Sequence, residues 1–179
     1  MPAADHERHA ADHAEAHPAS CAVLTISDTR TAQTDQSGPL IERLLTERGH
    51  RITVRALVRD EPPAIAGQLE TWLADPCLDV ILTTGGTGIS TRDTTIEVVR
   101  RLLTVELEGF GELFRMLSYR QVQAAAMLSR AVGGLVVRDP QAGGGTFIFA
   151  LPGSTDAVRL AVGELIGPQL AHLVWQRGQ

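Results

Sequence analysis

The chain has 179 residues, of which 44% are hydrophobic and 21% charged, and this composition predicts a single globular domain with a sizeable core. The formal net charge of -5 argues against a general nucleic-acid surface, and no apolar run approaches the roughly 20 residues needed to span a membrane. All 16 basic residues are arginine. The lack of lysine excludes a Walker-type phosphate lysine and a lysyl nucleophile.

Cysteine usage and the start of the chain bear on the cellular compartment. Cys21 and Cys77 lie beside strand-like runs without metal or redox spacing, and we expect both to be small buried core residues. No apolar segment typical of a secretion signal is visible at the N-terminus. The sequence therefore predicts a cytoplasmic protein.

The first segment, residues 1–20, is polar and rich in alanine and histidine. Its composition predicts a disordered tail, with the folded domain spanning residues 21–179. Four histidines are spaced so that a helix would place them on one face: His6, His9, His13 and His17. Capture of a transition metal by this segment is therefore an alternative to a plain solvated tail.

Three strand-then-helix units are predicted in the first half of the domain. Buried strands are expected at residues 21–27 and from Val80 onward, and an alternating strand near a sheet edge at residues 52–58. Each is followed by a stretch with one apolar helical face, the first of them with Ser37 as the expected N-cap. This order predicts an α/β fold with a mainly parallel sheet that helices cover on both faces.

The second half is predicted to add two strands and a closing helix. Ser118 is the expected N-cap of a helix that runs to about Leu128. Strands are predicted at residues 131–137 and 146–151, joined by a glycine-rich hairpin turn. The last helix is expected to begin with a cap at Ser154 or the next residue, and to be interrupted near Gly167.

The stretch 80–93 contains the main candidate for a binding site. An apolar run passes into a turn with three glycines in four residues, and then into an amphipathic helix that Asp93 is expected to open. Such a turn lets backbone N–H groups approach an anion at the start of a helix. The glycine spacing does not fit the dinucleotide fingerprint. Taken alone, the loop leaves phosphate binding and simple turn geometry as equal alternatives.

Acidic side chains follow the carboxyl ends of the predicted strands, where ligands of parallel sheets bind. Three loops share this position: residues 27–30, 59–61 and 83–93. Asp60 and Asp93 can be interpreted as helix-start carboxylates or, together, as Mg²⁺ ligands. Asp28 and Asp35 are weaker candidates to assist them.

Several short motifs occur in a characteristic order along the chain. They are SDT at 27–29, SG at 37–38, DE at 60–61, TTGGTG at 83–88, TRD at 91–93, GFGE at 109–112, AMLSRA at 126–131 and LPGS at 151–154. In this order, over residues 22–170, the chain resembles the MoaB/Mog family of molybdenum cofactor biosynthesis proteins.

This resemblance implies a three-layer α/β/α sandwich, usually assembled as a homotrimer, with a hexamer as the alternative. It implies that the substrates are molybdopterin and ATP, with Mg²⁺ as cofactor. Active members transfer AMP from Mg-ATP to the terminal phosphate of molybdopterin, giving adenylyl-molybdopterin and pyrophosphate. A molybdate-insertion enzyme is the implied downstream partner, and neither nucleic acid nor a membrane is involved.

The resemblance also implies roles for individual residues. Asp60 and Asp93 match the catalytic aspartates and would hold Mg²⁺. Ligand contacts are implied for Ser27, Asp28, Thr29, Gly38, Thr84, Gly85, Gly86, Thr87, Gly88, Arg92, Ser129, Arg130, Pro152, Gly153 and Ser154. Four arginines are candidates to stabilise the leaving pyrophosphate: Arg30, Arg92, Arg115 and Arg130.

Two functions stay open from the sequence. The first is an adenylyltransferase, which Asp93 within the TRD motif favours. The second is a non-catalytic molybdopterin-binding or carrier protein of the same pathway. The pair Ser154 and Thr155 stands where many catalytic relatives carry Asn-Pro or Gln-Pro, a departure in the pocket wall.

Overall fold

The computed structural model describes residues 18–138 and 144–177, and these form one six-stranded sheet packed between helices. The strands are β1 (Ser20–Ile26), β2 (Arg51–Val58), β3 (Val80–Thr84), β4 (Val105–Glu106), β5 (Val132–Val137) and β6 (Gly145–Leu151). The α-helices are α1 (Ser37–Thr46), α2 (Pro62–Leu73), α3 (Thr95–Leu102), α4 (Glu108–Val122), α5 (Thr155–Leu160) and α6 (Gly167–Gln176). A 3₁₀-helix (Gln123–Leu128) follows α4, and a π-helix (Ala161–Ile166) joins α5 to α6.

The strand order is β2-β1-β3-β6-β5-β4. The four strands β2, β1, β3 and β6 are mutually parallel, whereas β5 and β4 run antiparallel to their neighbours. In this register Thr84 lies between Thr25 of β1 and Leu151 of β6. The loops that leave the four parallel strands therefore meet at one edge of the sheet, which confirms the predicted mainly parallel α/β architecture.

Two hydrophobic clusters lie on the two faces of the sheet. Alternate residues of β1 serve each face, with Cys21 and Val23 in one cluster and Ala22 and Leu24 in the other. The first cluster includes side chains of α1, α4, α5 and α6, and the second includes side chains of α2 and α3. The sheet is thus the middle layer of a three-layer α/β/α sandwich, as the sequence predicted.

Exposure distinguishes the edge strand and one of the two cysteines from the core. The alternating strand β2 is at the sheet edge, as predicted, and its Val54 is 38% exposed. Cys21 is fully buried, and burial, followed by the Asp79 charge, raises the pKa of its thiol to about 12. The expectation that Cys77 is buried is wrong, because this free cysteine is exposed after α2.

The predicted helix start at Ser118 is wrong. Helix α4 runs without interruption from Glu108 to Val122, and Ser118 is buried within it. Gly111, near the start of this helix, permits close packing, since a Cβ there would lie 3.0 Å from the carbonyl oxygen of Ala131. The last helix also stays helical through Gly167, and the irregularity there is the preceding π-helix.

The N-terminal segment and the lengths of the helices bear on two further expectations. The four N-terminal histidines lie outside the described residues, and the first described strand begins at Ser20. Within residues 18–138 and 144–177, no helix combines the length and apolar character needed to cross a bilayer.

Candidate functional site

A cleft of about 570 Å³ opens at the edge where the parallel strands end. The loops after β1, β2, β3 and β6 line one side, and α4 with the 3₁₀-helix lines the other. Most of the candidate residues from the sequence line it: Ser27, Asp28, Thr29, Asp60, Gly85, Gly86, Thr87, Gly88, Asp93, Ser129, Pro152, Gly153 and Ser154. Parallel topology therefore brings together residues that lie more than a hundred positions apart in the sequence.

The glycine loop, residues 85–88, forms the floor of this cleft. Gly85 and Gly86 have φ angles of +105° and +62°, which side-chain-bearing residues rarely adopt. A Cβ on Gly85 would also lie 2.1 Å from the carbonyl oxygen of Ile26, so the strand ends approach closely here. Across the described residues, the N–H groups of Gly86, Thr87 and Gly88 have no intramolecular acceptor. The loop thus offers free donors to an anion.

Two carboxylates approach the glycine loop from different strand ends. A Cβ on Gly86 would lie 2.6 Å from Asp60 Oδ1, and a Cβ on Gly88 would lie 2.7 Å from Asp93 Oδ2. Asp60 Oδ1 is buried and has no hydrogen-bond partner among the described residues. A buried carboxylate oxygen without a donor is costly, so its presence beside the loop indicates a ligand position.

The electrostatics of the site centre on Asp60. Burial, and then the nearby charges of Asp93 and Asp28, raise the pKa of the Asp60 carboxyl above its ordinary value, and Arg92 partly offsets this. Asp28 Oδ1 accepts a hydrogen bond from the backbone N–H of Asp60 at 3.2 Å. Asp28 Oδ2 lies 3.7 Å from Arg92 Nη1, and this arginine is largely exposed. Three acidic groups therefore share one small region, and the arginine beside them is loosely held.

The expectation that Asp93 opens the following helix is wrong. Helix α3 begins at Thr95, two residues later. Asp93 Oδ2 instead accepts the backbone N–H of Ser90 at 2.9 Å, which closes the turn between the glycine loop and the helix. This contact holds the carboxylate beside Gly88, where it can face the cleft.

Asp35 and Ser37 have a structural task that the sequence interpretation assigned differently. Asp35 Oδ1 accepts the backbone N–H groups of Ser37 and Gly38, and Oδ2 accepts the Thr25 hydroxyl at 2.7 Å. Burial alone would raise the pKa of Asp35, but these hydrogen bonds hold it below its ordinary value. Asp35, and not Ser37, therefore satisfies the start of α1, and its carboxylate is already engaged away from the cleft.

Four candidate ligand residues do not line the cleft: Gly38, Thr84, Arg92 and Arg130. Gly38 packs against Asp35, since a Cβ there would lie 2.4 Å from Asp35 Oδ2. The buried Thr84 hydroxyl donates to the Pro152 carbonyl at 3.1 Å and ties the end of β3 to the loop after β6. Arg130 donates to the Thr87 carbonyl from outside the cleft. Gly38, Thr84 and Arg130 therefore support the site without lining it, whereas Arg92 is exposed beside Asp28.

Arg30 joins two of the cleft loops. Its Nη1 donates to Ser37 Oγ at 2.7 Å and its Nη2 donates to the Gly153 carbonyl at 3.0 Å. Among the cleft-lining residues of the described chain it is the only arginine. Ser154 begins α5 as predicted, because its hydroxyl accepts the backbone N–H of Ala157 at 3.2 Å.

The opposite wall was missed by the sequence analysis. It consists of Phe114, Ser118, Gln121 and Val122 from α4, together with Leu128. The spacing of positions 114, 118 and 121 is that of one helical face. This signal was available in the sequence, but the expected break at Ser118 divided it between two segments.

The acidic side chains of the site bear on whether it can hold a metal ion. In the part of the chain that the structure describes, no three His, Cys, Asp or Glu side chains form a cluster that could hold an ion on their own. Mg²⁺ requires only one or two protein carboxylates, since water and substrate phosphates complete its shell. Asp60, with its unpartnered buried oxygen, and Asp93 fit that requirement.

Comparisons with known proteins agree with this geometry. The model of a family described as "Probable molybdopterin binding domain" matches residues 22–172. Molybdenum cofactor biosynthesis protein B of Staphylococcus carnosus is 54% identical over 157 residues, which are 86% of this chain and 88% of that protein.

Solved structures give the same result. A crystal structure of molybdenum cofactor biosynthesis protein B superposes with a TM-score of 0.83 and 45% identity, covering 89% of this chain and 96% of that one. The tungsten cofactor synthesizing protein MoaB of Pyrococcus furiosus has a TM-score of 0.76 and 32% identity, with 90% and 98% covered. The chain therefore belongs to the MoaB/Mog family of molybdenum cofactor biosynthesis proteins.

Proposed function

We propose that this protein is a molybdopterin adenylyltransferase. A terminal phosphate oxygen of molybdopterin attacks the α-phosphorus of ATP, a new P–O bond forms, and the bond to the β-phosphate oxygen breaks. The products are adenylyl-molybdopterin and pyrophosphate. The observation that carries the proposal is the glycine loop with its free N–H groups, which lies between the carboxylates of Asp60 and Asp93.

The charge of the cleft supports a requirement for Mg²⁺. Its lining includes four carboxylates, Asp28, Asp60, Asp93 and Asp156, and one guanidinium, Arg30. Two phosphate-bearing substrates would be repelled by such a surface unless a cation accompanies them. When bound, Mg²⁺ neutralises phosphate oxygens and orients the reacting groups. Asp60 and Asp93 are the residues of this chain that would hold it.

The protein groups orient the substrates and need not supply a strong base, because the attacking phosphate is already an anion. The N–H groups of Gly86, Thr87 and Gly88 bind phosphate oxygens and stabilise charge as pyrophosphate leaves. Opposite them, Val122 and Leu128 give the wall an exposed apolar part against which a planar ring can pack.

The test is an adenylylation assay with purified protein, molybdopterin, ATP and Mg²⁺. We expect the wild-type protein to form adenylyl-molybdopterin and Asp93→Asn to lose most of that activity. Omission of Mg²⁺ should have a similar effect. Molybdopterin binding by the wild-type protein without product above a no-enzyme control would favour the alternative, a non-catalytic carrier.

Assembly belongs to the same proposal. Helix α4 and the 3₁₀-helix expose apolar side chains over about half or more of their surface: Leu113, Met116, Tyr119, Val122 and Met127. Such a surface supports a homotrimer, with a hexamer as the alternative, and native mass measurement tests it. We also propose a cytoplasmic location, consistent with two free cysteines, and a molybdate-insertion enzyme as the recipient of the product.

A further inference from the structure

We propose that Arg130 is a positioning residue that fixes the glycine loop in its anion-binding conformation from the side opposite the cleft. Resemblance placed this arginine among the ligand-binding residues, but its contacts assign it another task. Its effect on catalysis rests on the proposed adenylyltransferase function, whereas its effect on the loop does not.

All three nitrogen positions of the Arg130 side chain are already engaged. Nε donates to the Thr87 carbonyl at 3.0 Å. Nη1 and Nη2 donate to the two carboxylate oxygens of Glu97 at 2.8 and 3.0 Å. This fork geometry holds the guanidinium in one orientation. Arg130 therefore has its donors directed at the loop and at α3, and it is not among the residues that line the cleft.

The contact with Thr87 determines where the next N–H group points. In a trans peptide unit the C=O and the following N–H point in opposite directions. Holding the Thr87 carbonyl toward Arg130 therefore directs the Gly88 N–H to the other side. The Gly86 carbonyl is held in the same way by the Thr95 N–H at 3.0 Å, which directs the Thr87 N–H.

Both oriented N–H groups belong to residues that line the cleft, and neither has an acceptor within the described residues. Thr87 is only 4% exposed, so water would not fully replace the Arg130 donor if that donor were removed. Removing the guanidinium would free the Thr87–Gly88 peptide to rotate, because Gly88 tolerates many backbone conformations. The Gly88 N–H would then no longer be held toward the cleft, and its neighbours in the glycine loop would lose a fixed reference.

The chain offers a matched control on α3, the helix that carries Glu97. Arg100 of α3 makes a two-point pair with Glu106, with distances of 3.2 and 3.0 Å, and this pair does not contact the glycine loop. Arg100→Ala removes the same type of ion pair with the same change in charge. Any difference between Arg130→Ala and Arg100→Ala therefore reports the contact with Thr87 rather than the loss of a surface arginine.

The experiment combines amide NMR of the full-length protein with steady-state adenylylation kinetics. In Arg130→Ala we expect shifted amide signals for Gly86, Thr87 and Gly88, and a roughly tenfold loss of exchange protection at the Thr95 amide. We expect kcat to fall by roughly 10- to 100-fold, because the donors are misplaced. Arg100→Ala should leave the loop signals unchanged and kcat within about twofold of wild type.

Arg130→Lys separates geometry from charge. Lysine keeps the positive charge but cannot donate to Thr87 and both Glu97 oxygens in the fixed fork, so we expect it to behave like Arg130→Ala. Wild-type kcat in Arg130→Lys, unchanged loop signals in Arg130→Ala, or shifted signals without a loss of kcat would each overturn the proposal. If Arg130→Ala does not fold, Glu97→Ala decides by the same loop signals.

The two proposals fail in different ways. If the wild-type protein forms no adenylyl product, the proposed function is wrong, and the NMR comparison of Arg130→Ala with Arg100→Ala still tests the positioning role. If the wild-type protein is active and the NMR comparison shows no difference, only the role of Arg130 is wrong.

Discussion

The edge of the central sheet at which the parallel strands begin and the edge at which they end differ in how far their polar groups are satisfied. At the edge where the parallel strands begin, Asp79 Oδ2 accepts the backbone N–H of Ser20 at 2.8 Å, and Oδ1 pairs with Arg177. Arg138 Nη2 donates to the Leu78 carbonyl at 2.7 Å and also contacts the hydroxyl of Thr146. Here charges and hydrogen-bond donors are matched, and the contacts join the sheet to the C-terminal helix.

At the opposite edge, where the strands end, the matching is incomplete. Within the described residues, Asp60 Oδ1 and the hydroxyls of Thr94 and Thr95 are buried without a partner. Free N–H groups of the glycine loop lie beside them, and three acidic groups share the region. Unsatisfied groups of this kind lower stability and are retained where a ligand needs them. One edge therefore stabilises the fold, and the other is left open for binding.

Asp93→Asn gives the largest effect that this contrast predicts. The substitution removes a charge at the open edge with little change in shape, so we expect adenylylation to fall by roughly 10²- to 10³-fold while the unfolding midpoint stays close to wild type. Product formation and urea unfolding measure the two quantities. An active Asp93→Asn protein would contradict the assigned role.

Asp79→Ala tests the closed edge. It leaves Arg177 without its carboxylate and the Ser20 N–H without its acceptor, so we expect a loss of roughly 2–4 kcal/mol in the free energy of unfolding. Urea denaturation measures this loss. The kcat of the folded protein should be unchanged, and a selective loss of kcat would show that the two edges are not independent.

Gly86→Ala combines both effects at one position. Its Cβ would lie 2.3 Å from Thr95 Oγ1 and 2.6 Å from Asp60 Oδ1, at a φ of +62°. We expect a loss of roughly 1–3 kcal/mol in stability and a large loss of activity. Gly67→Ala in α2 is the control, because a Cβ there meets nothing within 4 Å. Similar stability losses for both variants would argue against strain at Gly86.

Asp60→Asn should give the smallest change in stability, and in the opposite direction to the other variants. Because burial and neighbouring charges raise the pKa of Asp60 in the folded protein, the folded state keeps a proton that the unfolded state has lost between pH 3.8 and that raised value. Stability therefore falls as the pH rises through this window and stays lowered above it. At pH 7 we expect Asp60→Asn to raise Tm by roughly 1–3 °C.

Added Mg²⁺ sharpens the Asp60 prediction. It should raise the Tm of the wild-type protein, since a ligand that binds only the folded state stabilises it, and it should raise the Tm of Asp60→Asn much less. Thermal unfolding at pH 5 and pH 7, with and without Mg²⁺, provides the measurement. A lower Tm for Asp60→Asn at pH 7 without metal would show that its carboxylate is stabilising.

Local sequence patterns were sufficient for most of the fold. Apolar periodicity and the succession of strands and helices predicted the sandwich, and parallel topology alone predicted that Asp60 lies near the glycine loop. The role of Asp35 was harder to predict, because an aspartate at this position can cap a helix or bind a ligand, and the choice depends on its hydrogen bonds with Thr25, Ser37 and Gly38. The role proposed for Arg130 depends on a contact 43 positions away, which no local pattern contains.

The position of β6 in the sheet has a consequence for the order in which the protein can assemble. Strands β1, β2 and β3 precede it in the chain, yet β6 lies directly against β3 and carries the fourth loop of the cleft. During synthesis the fully buried β3 therefore has an open edge until the last third of the chain emerges. Such long-range pairing is slow and exposes nascent chains to association. Because the cleft lacks its fourth loop until β6 has paired with β3, a ligand in the complete cleft indicates that folding is finished.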